Sequence, residues 1–237
     1  MNINIAIDRY SASGKTTIGQ FLARKFKYEL IDNRLFYRYF SYHSFILSSS
    51  DDDVLKFIRS VENYKDLLED IKSINLLDNE TYLKVGKKAS KLAKNNEIRE
   101  EINILIRRII QKKGFVVVGR DTTFNILLEA EVKIVLSAEF LSRVKRRALQ
   151  VDMTEEESLE DLFMRDKKSF DLIKQAKRVS KNIDTTNINV DETLDQIITI
   201  IDRQLFLSRY EKYVNILFFI VILIFYKLYL LVNANWQ

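Results

Sequence analysis

Short apolar runs alternate with helix-spaced ones in the opening of the chain. Ile3 to Ile7 is apolar and stops at Asp8, the pattern of a strand buried on both faces. From Thr16 to Phe26 the residues Ile18, Phe21, Leu22 and Phe26 fall on one helical face. Tyr28 to Ile31 is a second strand, followed by the polar turn Asp32-Asn33-Arg34. A strand–helix–strand opening builds parallel sheets covered by helices. A polar loop at Ser48 to Asp53 leads into a helical, heavily charged stretch from Val54 to about Ile110, with no strand in it. Phe115 to Val118 is the strongest strand signal, Val132 to Leu136 is another, and Ile183-Asp184 closes a last short one. Phe140 to Gln150, Glu155 to Met164 and Val190 to Leu207 are predicted helices. The expected fold is α/β, with three layers around a parallel sheet of about five strands.

The last segment differs in kind. Val214 to Val232 is apolar apart from Asn215 and Lys227, and its apolar residues run all round a helix rather than along a stripe. A helix of roughly 20 residues crosses a bilayer core. Lys227 could snorkel, and Arg209 and Lys212 stand on the side expected to stay inside the cell. Residues 211–237 therefore read as a membrane anchor, with a buried C-terminal helix as the alternative.

Composition narrows the chemistry. Lys and Arg number 38 against 33 Asp and Glu, a net charge of +5 that suits a handler of polyanions without choosing among them. The absence of cysteine excludes disulfides, thiol chemistry and cysteine metal sites, and the single histidine, His43, excludes a His-Glu-x-x-His zinc site. His43 reads as a surface or packing residue. Met-Asn-Ile-Asn-Ile has neither the charged region nor the apolar core of a signal peptide, so a cytoplasmic body is expected. With no proline and five glycines, each glycine marks a place where the backbone needs it.

The sharpest motif follows the first strand: Asp8-Arg9-Tyr10-Ser11-Ala12-Ser13-Gly14-Lys15-Thr16-Thr17, and then a helix. Ser-Gly-Lys-Thr-Thr is the end of a phosphate-binding loop, whose backbone N–H groups curl around a β-phosphate at a helix N-terminus. Lys15 would reach the β- and γ-phosphates and the Thr16 hydroxyl would ligate Mg²⁺. Ser11, Ala12, Ser13, Gly14, Lys15, Thr16 and Thr17 are thus the expected ATP-binding residues. The motif's first glycine is Arg9, whose Cβ is expected to resist glycine's backbone angles.

Four further blocks stand in order behind the loop: Ile31-Asp32-Asn33-Arg34-Leu35-Phe36-Tyr37-Arg38; Ala89-Ser90 with Ile98-Arg99-Glu100; Gly119-Arg120-Asp121 after a strand; and Ile183-Asp184-Thr185-Thr186 before the last helix. With them the chain resembles the bacterial cytidylate kinase family from Asn2 to about Ile201, interrupted from about Tyr42 to Leu77. The resemblance implies a P-loop nucleoside-monophosphate kinase fold over residues 1–210, with a helical acceptor-binding insert at about 39–90 and a lid at about 150–172. It implies ATP and Mg²⁺ as donor and cofactor, and CMP or dCMP as acceptor. Arg38 and Arg120 would grip the acceptor phosphate, as the planar arginine fork suits. Asp32 falls on the acceptor side, and Ser90, Arg99 and Asp121 would read the cytosine. Lys15, Arg120, Arg147 and Arg165 would act on the transferring phosphoryl group, with Arg143 and Arg147 on the helix flanking the lid.

The chain departs from the family pattern in its lid, where Ser169 replaces a ribose-binding aspartate and Leu172 an arginine. Val118 replaces an acidic residue before Gly119, and Asn33 and Arg34 replace a small hydroxyl residue and a glycine. Two readings therefore stay beside the (d)CMP kinase: a P-loop kinase of another small acceptor, and a membrane-attached nucleotide-binding relative with little turnover. A nucleic-acid partner is not expected, because no stripe of interleaved basic and aromatic residues occurs. A monomer is expected.

Overall fold

Every apolar run that the pattern marks as a strand lies in one sheet. The computed structural model describes residues 2–13, 15–151 and 153–234; the side chains of Lys15, Thr16, Val151, Ser208, Glu211, Lys212, Asn215 and residues 225–234 lie outside that description. In chain order the elements are β1 (Ile5–Arg9), α1 (Lys15–Phe26), β2 (Glu29–Asp32), α2 (Asn33–Ile46), α3 (Asp51–Arg59), α4 (Tyr64–Ser73), α5 (Asn79–Leu92), α6 (Asn96–Ile109), β3 (Phe115–Gly119), β4 (Val132–Ser137), α7 (Phe140–Val151), α8 (Glu155–Val179), β5 (Lys181–Asp184) and α9 (Val190–Ala234). Among the described residues the sheet has five strands in the order β2-β3-β1-β4-β5. All pairings are parallel.

The order explains the composition of the strands. Ile5, Ala6 and Ile7 of β1 and Val116 and Val117 of β3 are fully buried, as parallel strands covered by helices on both faces must be. The chain leaves β1 toward β2 on one side, and later crosses from β3 over β1 to β4 on the other. Such a reversal opens a crevice at the carboxyl ends of the central strands, the place where open α/β sheets bind ligands. The register brings those ends level, with Asp32 beside Val118, and Asp8 beside both Gly119 and Val135.

Residues 54–110 are helical, as the pattern predicts, and they share a core with the sheet. Phe36 and Phe40 of α2, Ile58 of α3, Leu68 and Ile71 of α4, and Ile98 and Ile102 of α6 form one cluster with Ala6, Ile31 and Val117. The polar stretch expected as a loop at Ser48–Asp53 is partly helix. Ser50 caps α3 in a reciprocal pair with Asp53, and Asp51 to Asp53 make its first turn, where carboxylates meet the positive end of the helix dipole. A larger difference is α8. The expected helix ended at Met164 inside a lid of about 150–172, but one 25-residue helix runs on to Val179. Thr154 and Glu157 cap its start, and no glycine or proline interrupts it.

Residues 2–194 form one compact unit and residues from Asp195 onward a second. In the second, every residue from Ile216 to Ile224 is 40–66% exposed. Among the described residues no helix is long and apolar enough to cross a membrane. Ile216 to Ile224 spans about 14 Å of helix, half of a bilayer core of about 30 Å. The anchor expected at 214–232 runs beyond that point into side chains outside the described residues.

Helix α1 lies flush on the sheet because Gly19 has no side chain. A Cβ there would stand 2.9 Å from Val118 Cγ1 and 3.1 Å from Leu30 Cδ1. Gly19→Ala should therefore lower stability by about 1 kcal/mol, overpacking outweighing the gain in helix propensity. Its cost should shrink when combined with Val118→Ala; urea unfolding of the two single variants and the double variant measures both.

Candidate active site

At the carboxyl edge of the sheet the central element is a buried acid. Asp8, fully buried, accepts hydrogen bonds from the Thr122 N–H at 2.9 Å, the Thr123 N–H at 2.8 Å and the Thr123 hydroxyl at 2.7 Å. Burial pushes its carboxyl up from the usual range, against the downward pull of those donors. These bonds tie the wide helical turn Thr122–Ile126 to the end of β1 and so fix the Gly119-Arg120-Asp121 segment between them. Glycine is required at 119, because a Cβ would stand 2.2 Å from Thr122 Oγ1.

Asp121 is 5% exposed and pairs with Arg99 Nη2 at 2.9 Å. Arg99 stands in the first turn of α6, which Asn95 caps by accepting from the Glu97 and Ile98 N–H groups. The Tyr37 hydroxyl lies beside both charges, and burial drives its pKa upward. Asp121 and Arg99, expected together from their order, are thus brought together.

Helix α2 begins at Asp32, whose side chain caps it by accepting from the Arg34 N–H at 3.1 Å. The Arg34 side chain turns back on the same carboxylate, its Nε 3.0 Å from Oδ1. Asp32, expected to face the acceptor, is engaged by Arg34. One turn on, the Arg38 guanidinium stacks on the Tyr82 ring 3.7 Å from its centroid and donates to the Tyr82 carbonyl at 2.8 Å. It lies against Gly86, where a Cβ would be 2.9 Å from Nη2. Burial lowers the Arg38 pKa, and the charge on Arg34 adds to this. Ser90, one turn beyond Gly86 on α5, is exposed and donates to the Gly86 carbonyl at 3.1 Å.

The arginines of α7 and α8 are divided. Arg147 and Arg165, both expected at the reacting phosphoryl group, share Asp161 at 3.2 and 2.7 Å. Arg143 is the one that reaches the phosphate loop. It is 4% exposed, pairs with Asp166 at 2.6 Å and donates to the Ser11 carbonyl at 3.3 Å. Its guanidinium also lies 4.9 Å from the centre of the Tyr10 ring. Arg120 is drawn down by burial first, then by the charges on Arg165 and Arg34. Ser169 turns inward, 2% exposed, and donates to the Arg165 carbonyl one turn back at 2.9 Å.

The loop itself carries a correction. Arg9 ends β1 in strand geometry, and the glycine-like angle falls at Ala12, with φ 59°. Left-handed backbone at a residue with a Cβ costs about 1–2 kcal/mol, so the strain expected at position 9 sits three residues later. Ser13 is buried and donates to the Tyr10 carbonyl at 2.9 Å, and Thr17 is exposed on the first turn of α1. Gly14 and the side chains of Lys15 and Thr16 lie outside the described residues. Val118, in the place of the expected acid, is buried under Gly19. His43 packs against Tyr39, Tyr42 and Phe57. Of the residues that the sequence reading passed over, Gly86 carried a signal: it is one of only five glycines and interrupts a helical pattern.

A parallel sheet in this order, a curled loop between β1 and α1 and arginines along the carboxyl edge define a P-loop phosphotransferase of the nucleoside-monophosphate kinase type. The family model for cytidylate kinase matches residues 5–203. The cytidylate kinase of Mycoplasmopsis pulmonis is 33% identical over 216 residues, covering 85% of this chain and 96% of that one. That of Aquifex aeolicus is 33% identical over 217 residues, covering 85% and 97%. The crystal structure of an uncharacterized protein from Eubacterium ventriosum shares the fold, with a TM-score of 0.53 and 19% identity over 86% of this chain and 99% of that one. The chain belongs to the cytidylate kinase family.

Asp8→Ala should remove acceptors from three buried donors at once. A loss of about 3 kcal/mol in urea unfolding is expected.

Proposed function

We propose that the protein transfers the γ-phosphoryl group of Mg²⁺–ATP to the phosphate of CMP or dCMP, giving the diphosphate and ADP. The observation that carries this reading is the Arg99–Asp121 pair, held at the strand end next to the phosphate loop with a guanidinium on one side and a carboxylate on the other. Such a pair offers both donors and acceptors to the edge of a base. Arg38, seated on Tyr82, would hold the acceptor's phosphate, and Ser90 would add a contact to the base from α5.

The donor's phosphates would lie on the loop from Ser11 to Thr17, where a left-handed residue such as Ala12 suits a concave nest of N–H groups. Among the described residues no cluster of three acidic or histidine side chains forms a metal cage. That fits an Mg²⁺ ion held chiefly by the nucleotide's own oxygens, with the Thr16 hydroxyl as the protein ligand. When bound, the ion neutralises charge on the β- and γ-phosphates. An oxygen of the acceptor phosphate forms the new bond to the γ-phosphorus as its bond to the bridging oxygen breaks. ADP leaves with that electron pair, and any proton on the acceptor oxygen passes to water. The chain's part is positioning and positive charge, from Lys15, Arg120, Arg147 and Arg165, with Arg143 holding the loop.

ADP release by the full chain with Mg²⁺–ATP and, in turn, CMP, dCMP, UMP and AMP tests this. CMP or dCMP should give the highest kcat/KM; a preference for AMP would sink the cytidylate reading. ATP binding without ADP release would favour the relative with little turnover. Arg99→Ala should raise KM for CMP about ten- to a hundred-fold, the size of a charge-assisted hydrogen bond, while changing KM for ATP little.

A further inference from the structure

Arg9 stands where the phosphate-loop motif has its first glycine, and none of the contacts above needs an arginine there. It is the last residue of β1, beside Leu136 of β4, and the residue before it pairs with Gly119 of β3. β2, β3 and β1 are consecutive in the sheet. The ends of these three strands therefore carry Arg34, Arg120 and Arg9 along one edge. The three are close enough for charge to be felt: burial is the main cause that holds the Arg9 guanidinium well below its usual range, and Arg34 and Arg120 push the same way while Asp32 and Asp8 offset part of the effect.

The carboxylates nearby are committed elsewhere. Asp32 is bonded to Arg34 through both oxygens, and Asp8 is taken by Thr122 and Thr123. Among the described residues Arg9 makes one hydrogen bond, from Nη1 to the Tyr10 carbonyl at 3.3 Å, and its Nε is buried with no partner. A buried guanidinium donor without an acceptor destabilises the fold. Two cationic neighbours deepen that cost. The strand itself gains nothing from the residue, since its backbone angles suit any side chain. Three neighbouring arginines at the edge where the phosphate loop begins, one of them with a buried donor that has no partner, have the chemistry of a phosphate site.

We propose that Arg9, with Arg34 and Arg120, binds a phosphate group of the substrates directly: the acceptor's phosphate or the γ-phosphate of the donor. This rests on the kinase reading for its place in the reaction, but the binding itself can be measured without turnover. Calorimetry of the full chain and of Arg9→Gln and Arg9→Lys, with CMP against cytidine and ATP against ADP, separates the two sources. Arg9→Gln should weaken CMP about ten- to a hundred-fold and spare cytidine if the acceptor's phosphate is the ligand. It should weaken ATP by a similar factor and spare ADP if the γ-phosphate is. Arg9→Lys, keeping charge without the fork, should fall between wild type and Arg9→Gln. The ligand-free unfolding midpoint of Arg9→Gln should hold or rise, as expected when a strained functional charge is removed.

Equal loss for cytidine and CMP and for ADP and ATP, with a lowered midpoint, would show a structural residue and overturn the proposal. Unchanged CMP and ATP binding in Arg9→Gln would overturn it as well. Were wild type to release no ADP with any acceptor, the kinase reading would fail alone, because the paired titrations would still report on Arg9.

Discussion

The site depends on one buried carboxylate. Asp8 joins the end of the central strand to the turn that follows β3, through three bonds to Thr122 and Thr123. The loop after β1 and the Gly119-Arg120-Asp121 segment come from chain positions more than 100 residues apart. Without a fixed link they would be set only by the last ladder bonds of the sheet. With it, the loop after β1 and the segment after β3 share one origin. The burial that raises the carboxyl's pKa is the cost of that link, and the donors offset part of it.

Around this point the sheet and the helices divide the work. The sheet supplies position: parallel register places Asp32, Gly119 and Arg9 on neighbouring strand ends. The helices supply functional groups, each started by a cap that fixes where the first turn points. Asp32 caps the helix that carries Arg38, Asn95 the helix that carries Arg99, and Thr154 the helix that carries Asp161 and Arg165. Family membership and geometry agree on this frame, while the chain's own substitutions fall inside it. Val118 fills the space under Gly19, and Ser169 is turned into its own helix.

The three inner strands β1, β3 and β4 were legible because a strand buried on both faces is apolar at nearly every position, while the edge strands β2 and β5 showed only through Leu30-Ile31 and Ile183. The helices were legible where an apolar stripe ran through them, and less so where it faded. Beyond Met164 the inward positions of α8 include Ser169 and Ala176, so nothing in the pattern announced that the helix continues. The three aspartates before Val54 looked like a loop because their favourable setting, a helix N-terminus, is invisible without the cap. In the site, Arg38, Arg99, Gly119 and Asp121 stood out by order and spacing. The bonds of Asp8, the seat of Arg38 against Gly86 and the reach of Arg143 to Ser11 did not. Each depends on segments far apart in sequence, and the left-handed turn falls at Ala12 because the path of the loop, not its motif, decides which residue bends.

Arg38 and the pair Arg147 and Arg165 differ in what holds them. Arg38 rests on an aromatic ring and a carbonyl and has no ion pair among the described residues. Arg147 and Arg165 are already occupied, two guanidinium groups on one carboxylate. An incoming anion would meet an uncommitted charge at the first place and a competitor at the second. Capture at Arg38 would then be an encounter, whose speed responds to ionic strength. Engagement of Arg147 and Arg165 would be an exchange of partners, whose speed would be set by how long Asp161 holds on.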